Sequence, residues 1–448
     1  MNTPIFDFVR SYTESDTSRF HMPGHKGKSF LGCESLDITE INGADILGAA
    51  SGIIAQSEKN AASLFGSAYT FYSTEGSSLS IKAMLALVKK GASPDERVKI
   101  LASRNVHKAF IYACALLDID VEWLCPKDFA QLYSYTVTPS ELEDSLSKAE
   151  TLPHAFYLTS PDYLGNMADI KALADVCHKH GVPLLVDNAH GAYLSFLETS
   201  LHPIDLGADM CCDSAHKTLP VLTGGAYLHV AKGYDVFSEA EIRGAMALFA
   251  STSPSYLILQ SLDLCNAYLA DNYKSRLAAC IAKTAATKEK LSSLGFKAKT
   301  DCEPLKIVVE GSSCGYSGIE LAQVLANYNV EVEFADENNL VLMITPELDD
   351  KDFDRVLDAF SSLAQREPDK GDACTTPWES PVAKTSIRSA ILSKSEIVSS
   401  SCAEGRICAS PAISFPPAVP IVVSGELITE QIIKTLLYYG IENIDVLK

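Results

Sequence analysis

Ser214-Ala215-His216-Lys217-Thr218-Leu219-Pro220, set between the apolar Met210-Cys211-Cys212 and the run Gly224-Gly225-Ala226-Tyr227-Leu228-His229-Val230, decides how this chain is read. A lysine between a polar turn and a glycine-opened strand can be a desolvated amine, because burial lowers a lysine pKa and leaves its nitrogen nucleophilic. A solvated surface charge is the ordinary state of a lysine. Lys217 therefore needs support from elsewhere in the chain.

Working outward, the same pattern recurs. Val182-Pro183-Leu184-Leu185-Val186 is apolar on both faces and stops at Asp187-Asn188-Ala189-His190-Gly191. His154 to Thr159 stops at Ser160-Pro161-Asp162, and Val98 to Ala102 stops at Ser103-Arg104-Asn105-Val106-His107-Lys108. Tyr69 to Ser73 runs into Thr74-Glu75-Gly76-Ser77-Ser78, after which Ile81, Met84, Leu85 and Val88 follow at helical spacing up to Gly91. A second helix is expected from Gln56 to Gly66 and a third from Ala168 to His180. Strands alternating with helices, with polar residues where each strand stops, predict an α/β fold with an open, mostly parallel sheet and its site at the carboxyl ends of the strands. The Gly76-Ser77-Ser78 turn opens a helix, so its N–H groups and hydroxyls suit a phosphate; an ordinary serine cap reads equally well there.

Composition narrows the class. The chain has 448 residues, 47% of them hydrophobic, enough for a sizeable core and more than one domain. A formal net charge of -20 argues against nucleic acid and anionic membranes as partners. No secretory leader or membrane-spanning run is visible, so the expected location is cytoplasmic. The 13 cysteines lack a Cys-x-x-Cys pair, and no structural metal and no disulfide framework are expected.

The domain plan is an N-terminal arm over 1–50, a large domain over 51–294, a small α+β domain over 295–365, a linker or exposed loop over 366–381, and a C-terminal subdomain over 382–448. Within the arm, His21-Met22-Pro23-Gly24-His25-Lys26-Gly27-Lys28 reads as a basic surface turn or as a loop near an anionic group. The small domain is read from strands at 305–309, 330–334 and 340–344 and helices at 319–328 and 351–363. A long helix from Tyr273 to Leu294 precedes it, and the last helix lies near Thr429 to Tyr439.

Asp187, Lys217 and His107, each at the end of a different strand, acquire a joint meaning. Pyridoxal 5'-phosphate needs a lysine to attach to, a carboxylate to keep its ring nitrogen protonated, a flat group over the ring and a cradle for its phosphate. Here the motifs carry a resemblance. Thr74-Glu75-Gly76-Ser77-Ser78, Arg104-Asn105-Val106-His107-Lys108, Asp187-Asn188-Ala189-His190-Gly191 and Ser214-Ala215-His216-Lys217-Thr218-Leu219-Pro220 resemble those of the bacterial Orn/Lys/Arg decarboxylases, PLP-dependent enzymes of the aspartate-aminotransferase fold (fold type I). His21-Met22-Pro23-Gly24-His25-Lys26-Gly27 and the proline-rich 415–420 stretch with Gly425-Glu426 extend the resemblance over nearly the whole chain.

The resemblance implies a large PLP-binding domain and a smaller α+β C-terminal domain, in a short form without the N-terminal receiver-like domain of larger relatives. It implies that Lys217 carries the cofactor, Asp187 pairs with the ring nitrogen and His107 stacks on the ring. Gly76, Ser77, Ser78, Ser214 and His216 would surround the phosphate, and Ala189 would leave room under the ring. Ser253 would reach the cofactor of a neighbouring subunit in a homodimer or higher homo-oligomer. Glu426 and His190 are the substrate-binding candidates, with Glu426 facing a distal cation. The activity implied is decarboxylation of arginine, lysine or ornithine to the corresponding amine in polyamine biosynthesis. Another fold-type-I enzyme, an aminotransferase or lyase, and a catalytically silent regulatory paralogue are the rivals. Three departures stand out: Glu75 and Ile81 occupy places often given to asparagine, and Ala109 one often given to serine. Glu75 beside a phosphate would repel it unless held elsewhere.

Overall fold

The computed structural model describes residues 1–126, 134–364, 366–368, 382–413 and 419–448. The expected 366–381 linker, and the middle of the proline-rich stretch, lie largely outside them. Two compact units result. One comprises Met1–Leu101, Pro139–Leu158 and Asp169–Lys274, the other Ala102–Thr138, Thr159–Ala168 and Ser275–Lys448.

Seven strands form the main sheet: β1 (Tyr69–Ser73), β2 (Lys99–Ser103), β3 (Asp120–Leu124), β4 (Ala155–Thr159), β5 (Leu184–Asp187), β6 (Met210–Asp213) and β7 (Ala226–Val230), in the order β1-β7-β6-β5-β4-β2-β3. β5 and β6 are parallel, while β7 is antiparallel to both β6 and β1. β1 therefore runs the same way as β5 and β6, and the carboxyl ends of all three meet on one edge. Helices return the chain between strands, as at Ser77–Gly91 and Ile170–Lys179, which makes the sheet mostly parallel. β4, β5, β6 and β7 are buried almost throughout, which explains why they read as unbroken apolar runs rather than alternating ones.

The expected arm contains an element that the sequence reading passed over, a helix from Pro4 to Glu14. Its Ile5 and Val9 are fully buried, and the N–H groups of Ile5 and Phe6 donate to the Asp263 carboxylate at 2.9 and 3.0 Å. That carboxylate takes the place of a local cap. The four-residue spacing of Ile5 and Val9 behind Pro4 was the available signal.

In the second unit β8 (Lys306–Glu310), β9 (Phe334–Ala335) and β10 (Asn339–Met343) form an antiparallel sheet in the order β8-β10-β9. The strand expected over 330–334 shrinks to Phe334–Ala335. Asn329 turns left-handed at the end of the helix Gly318–Asn327, and the Val330 N–H donates back to Leu325 O, so this stretch completes the helix end instead. Val308, Phe334 and Val341 share one hydrophobic cluster with Val422, Ile428, Leu436, Ile444 and Val446. This three-stranded sheet thus buries its apolar face against the C-terminal residues. No helix among the described residues is long and apolar enough to cross a membrane.

Candidate active site

Three strand ends of the first unit supply the site. Beyond β6 the chain makes one helical turn, Ala215–Thr218, which brings Lys217 Nζ to 2.9 Å from His190 Nε2. β5 ends at Asp187, which is 2% exposed. Its carboxylate takes Tyr157 Oη and the Ala189 N–H, both at 3.3 Å, and the Cys212 thiol at 3.6 Å. These are long contacts for a charged acceptor. Burial accordingly pushes its carboxyl pKa up, and the charge of Lys217 opposes that shift.

β1 leads into the phosphate-type turn. Gly76 stands before the helix Ser77–Gly91 with φ +72°, a conformation that glycine adopts without strain, and no acidic residue occupies the first helical turn. A Cβ at Gly76 would meet only Ser78 N, at 3.9 Å, so the approach to the turn is open. Ser214 Oγ donates to Ser77 Oγ at 2.8 Å, joining this turn to the lysine segment. His216 is fixed by its Nδ1, 2.9 Å from Gly225 O, and burial lowers its pKa, keeping the ring neutral. Glu75 is held away by Ser251, whose N–H donates to its carboxylate at 2.6 Å. Ser253 sits in the exposed segment following that contact.

These residues fit pyridoxal phosphate. A deeply buried carboxylate with only long contacts suits a cationic ring N–H, and an open helix N-terminus with two linked serines suits a dianion. Ala189, 9% exposed beside Asp187, presents only a methyl group.

His107 and Glu426 belong to the second unit. His107 caps the helix Lys108–Leu117, its Nδ1 accepting from the Ala109 N–H at 3.1 Å, which leaves the ring proton on Nε2. Glu426, expected to face a distal cation, is 3% exposed and bound to Arg104, whose Nη2 lies 3.2 Å from its Oε2; the Val423 N–H donates to the same oxygen at 2.7 Å. Arg104 has no exposed surface and also donates to the carbonyls of Pro420 and Ile421. Glu426 thus already has a cationic partner within its own chain. Arg104 was missed as its partner because a contact across 322 residues leaves no local signal.

Asp213, His202 and His229 were also passed over. They form a buried cluster around Asp213, which lies just before the lysine turn in sequence, and His202, Cys211 and Asp213 offer ligand atoms within 4.8 Å of one another. His202 Nδ1 accepts from the Ile204 N–H, which leaves the proton on Nε2, facing Asp213. That tautomer makes a hydrogen-bond network rather than a metal centre. The sequence signal was a charged residue ending an apolar strand, the same feature that singled out Asp187.

Comparison with known proteins agrees with this geometry. The family model "Orn/Lys/Arg decarboxylase, major domain" matches residues 3–311, and "Orn/Lys/Arg decarboxylase, C-terminal domain" matches residues 376–442. A protein named arginine decarboxylase from Bacillus subtilis (strain 168) is 29% identical over 99% of this chain and 94% of its own. Another of that name from Halalkalibacterium halodurans is 30% identical over 96% of this chain and 91% of its own. Among solved structures, the constitutive lysine decarboxylase of E. coli superposes with a TM-score of 0.79 at 18% identity, covering 100% of this chain and 82% of that one, which shows the shared fold. The larger matched span contains every strand of the main sheet and the turns bearing Asp187 and Lys217, and on that ground the chain belongs to the Orn/Lys/Arg decarboxylase family of PLP-dependent amino-acid decarboxylases.

Proposed function

We propose that this protein decarboxylates a basic amino acid, arginine, lysine or ornithine, releasing CO2 and the corresponding amine for polyamine biosynthesis in the cytoplasm. The observation that carries the reading is the placement of Lys217 Nζ against His190, beside a buried Asp187 at the neighbouring strand end. Relatives named arginine decarboxylase that align along almost the entire chain support a basic substrate.

When bound, pyridoxal phosphate supplies the electron sink that accepts the charge left by departing CO2. Everything else falls to the chain. Lys217 provides the attaching amine, and His190 accepts a hydrogen bond from it, holding Nζ in place and offering a nearby base for its proton. Asp187 would pair with the ring nitrogen of the bound cofactor and favour its protonated form. Ser77, Ser78, Ser214 and the N–H groups after Gly76 would hold the phosphate, with His216 beside them. By the family resemblance, His107 would supply the flat group against the bound cofactor. The Lys217 amine would also serve to return a proton to the substrate Cα. Ser253, on its exposed segment, reaches the site of a second copy in a homodimer or larger assembly.

The test is CO2 release from the purified protein with arginine, lysine, ornithine and a set of non-basic amino acids. One basic substrate should release CO2, and Lys217→Ala should remove nearly all turnover together with the visible absorbance of bound cofactor. Keto acid in place of CO2 would assign an aminotransferase, and the absence of any turnover would point to a regulatory paralogue.

A further inference from the structure

Asp213 closes β6 with no exposed surface, and its two oxygens take three donors. Asn188 Nδ2 donates to Oδ1 at 2.7 Å, while His202 Nε2 and His229 Nε2 reach Oδ2 at 3.0 and 3.2 Å. An ionised carboxylate only accepts, so each ring presents its N–H to Asp213. Behind them, His202 Nδ1 accepts from the Ile204 N–H, and His229 Nδ1 lies 2.8 Å from Thr70 Oγ1, which is paired with Ser67. Both rings are thereby held with Nε2 toward Asp213. Burial pushes the Asp213 carboxyl up, but the two histidines outweigh it and hold the group well below the usual range.

This cluster bears on the site through Asn188. Because Asp213 can only accept, the amide must turn its nitrogen inward, which lays Asn188 Oδ1 where a Cβ on Gly191 would stand. The Asn188 N–H also donates to Cys212 O at 2.9 Å, and the Gly191 N–H to Asn188 O at 2.8 Å. The turn from Asp187 to Gly191 is thus held through its second residue. It carries Asp187 on one side of Asn188 and His190 on the other. His190 meets Lys217, whose N–H donates to Ser214 O at 2.9 Å, directly after Asp213. A closed circuit runs from Asp213 through Asn188, His190 and Lys217 back to Asp213.

We propose that Asp213, with His202 and His229 behind it, is a positioning residue that fixes Asn188 and thereby sets the Asp187 carboxylate and the His190 imidazole for the cofactor carried by Lys217. The proposal rests on the roles given above to Lys217 and Asp187. Its function is geometric. Asn188 Oδ1 is buried without a hydrogen-bond partner, so donation of Nδ2 to Asp213 is what holds the amide in this orientation, and an apolar strand end would leave it free to turn.

The experiment measures the pyridoxal phosphate dissociation constant by fluorescence, borohydride trapping at Lys217 by peptide mass, and kcat and KM. The proteins are wild type, Asp213→Asn, Asn188→Ala and Leu173→Ala, the last removing a buried leucine outside the network as a control for general destabilisation. Asparagine at 213 has one acceptor oxygen for three donors. Losing one such charged hydrogen bond should weaken cofactor binding by about tenfold. Trapping and kcat should fall with it while KM stays within about twofold, the split expected for a loss outside uniform substrate binding. Asn188→Ala should reproduce that pattern, and it decides the matter if Asp213→Asn does not fold. Cofactor affinity in Asn188→Ala equal to that of wild type and of Leu173→Ala would overturn the positioning role alone. A wild type that takes up no pyridoxal phosphate would overturn the proposed function and this inference together.

Discussion

Glu426→Gln separates a structural ion pair from a substrate contact. The side chains of Arg104 and Glu426 are 0% and 4% exposed, so water screens neither charge. Removing one partner of a buried pair costs about 3–5 kcal/mol, because the other charge is left without compensation. Glutamine keeps an oxygen for Arg104 and the Val423 N–H, which restores about 1 kcal/mol as a neutral hydrogen bond. The expected loss is therefore about 3 kcal/mol, on the order of a hundredfold in the folding constant. Arg104→Met should cost more, since it also strands the carbonyls of Pro420 and Ile421, at about 1–3 kcal/mol each. The double variant Arg104→Met/Glu426→Gln removes both charges, so its loss should fall short of the sum of the single losses by about 2–4 kcal/mol. Urea unfolding of the four proteins measures these differences. CO2 release by Glu426→Gln supplies the KM. Additive losses, or an unchanged stability with a KM for the basic substrate raised on its own, would refute the pairing and return Glu426 to the substrate pocket.

Two further outcomes follow from the first unit. Burial pushes Glu58 up to about 7, with Arg243 at 2.9 Å opposing that shift. A carboxyl whose folded pKa is raised contributes stability fully below its unfolded value of 4.5 and loses it as pH rises through about 7. Glu58→Gln should therefore gain on wild type by up to about 3 kcal/mol between pH 5 and pH 8; parallel stability curves would show that the ion pair already ionises normally. Gly191→Ala would place its Cβ on the Asn188 side-chain oxygen and 2.7 Å from Leu194 Cδ1, so a loss of about 1–3 kcal/mol is expected in thermal unfolding. Wild-type melting there would mean that the Asn188 side chain yields easily.

The motifs around the site were legible because each strand that carries one is buried on both faces and stops abruptly at polar residues. Asp187, Lys217 and the Gly76-Ser77-Ser78 turn each stand where an apolar run ends. The first helix was missed because its cap is Asp263, more than 250 residues away in sequence. The strand expected over 330–334 was misread because alternating valine and glutamate fit an edge strand, while the helix end before it had the stronger claim on Val330.

By itself, the sequence determined the class of fold, the alternation that brings strand ends together, and the residue types offered to the cofactor. Those follow from local periodicity and from polar residues that interrupt it. Only the tertiary structure decided what each charged side chain is paired with. It gave Glu426 to Arg104, Glu75 to Ser251 N and Asp213 to two histidines and Asn188. Such pairings depend on distances across the fold, and burial makes a carboxylate keep whichever cation or donor the packing brings to it.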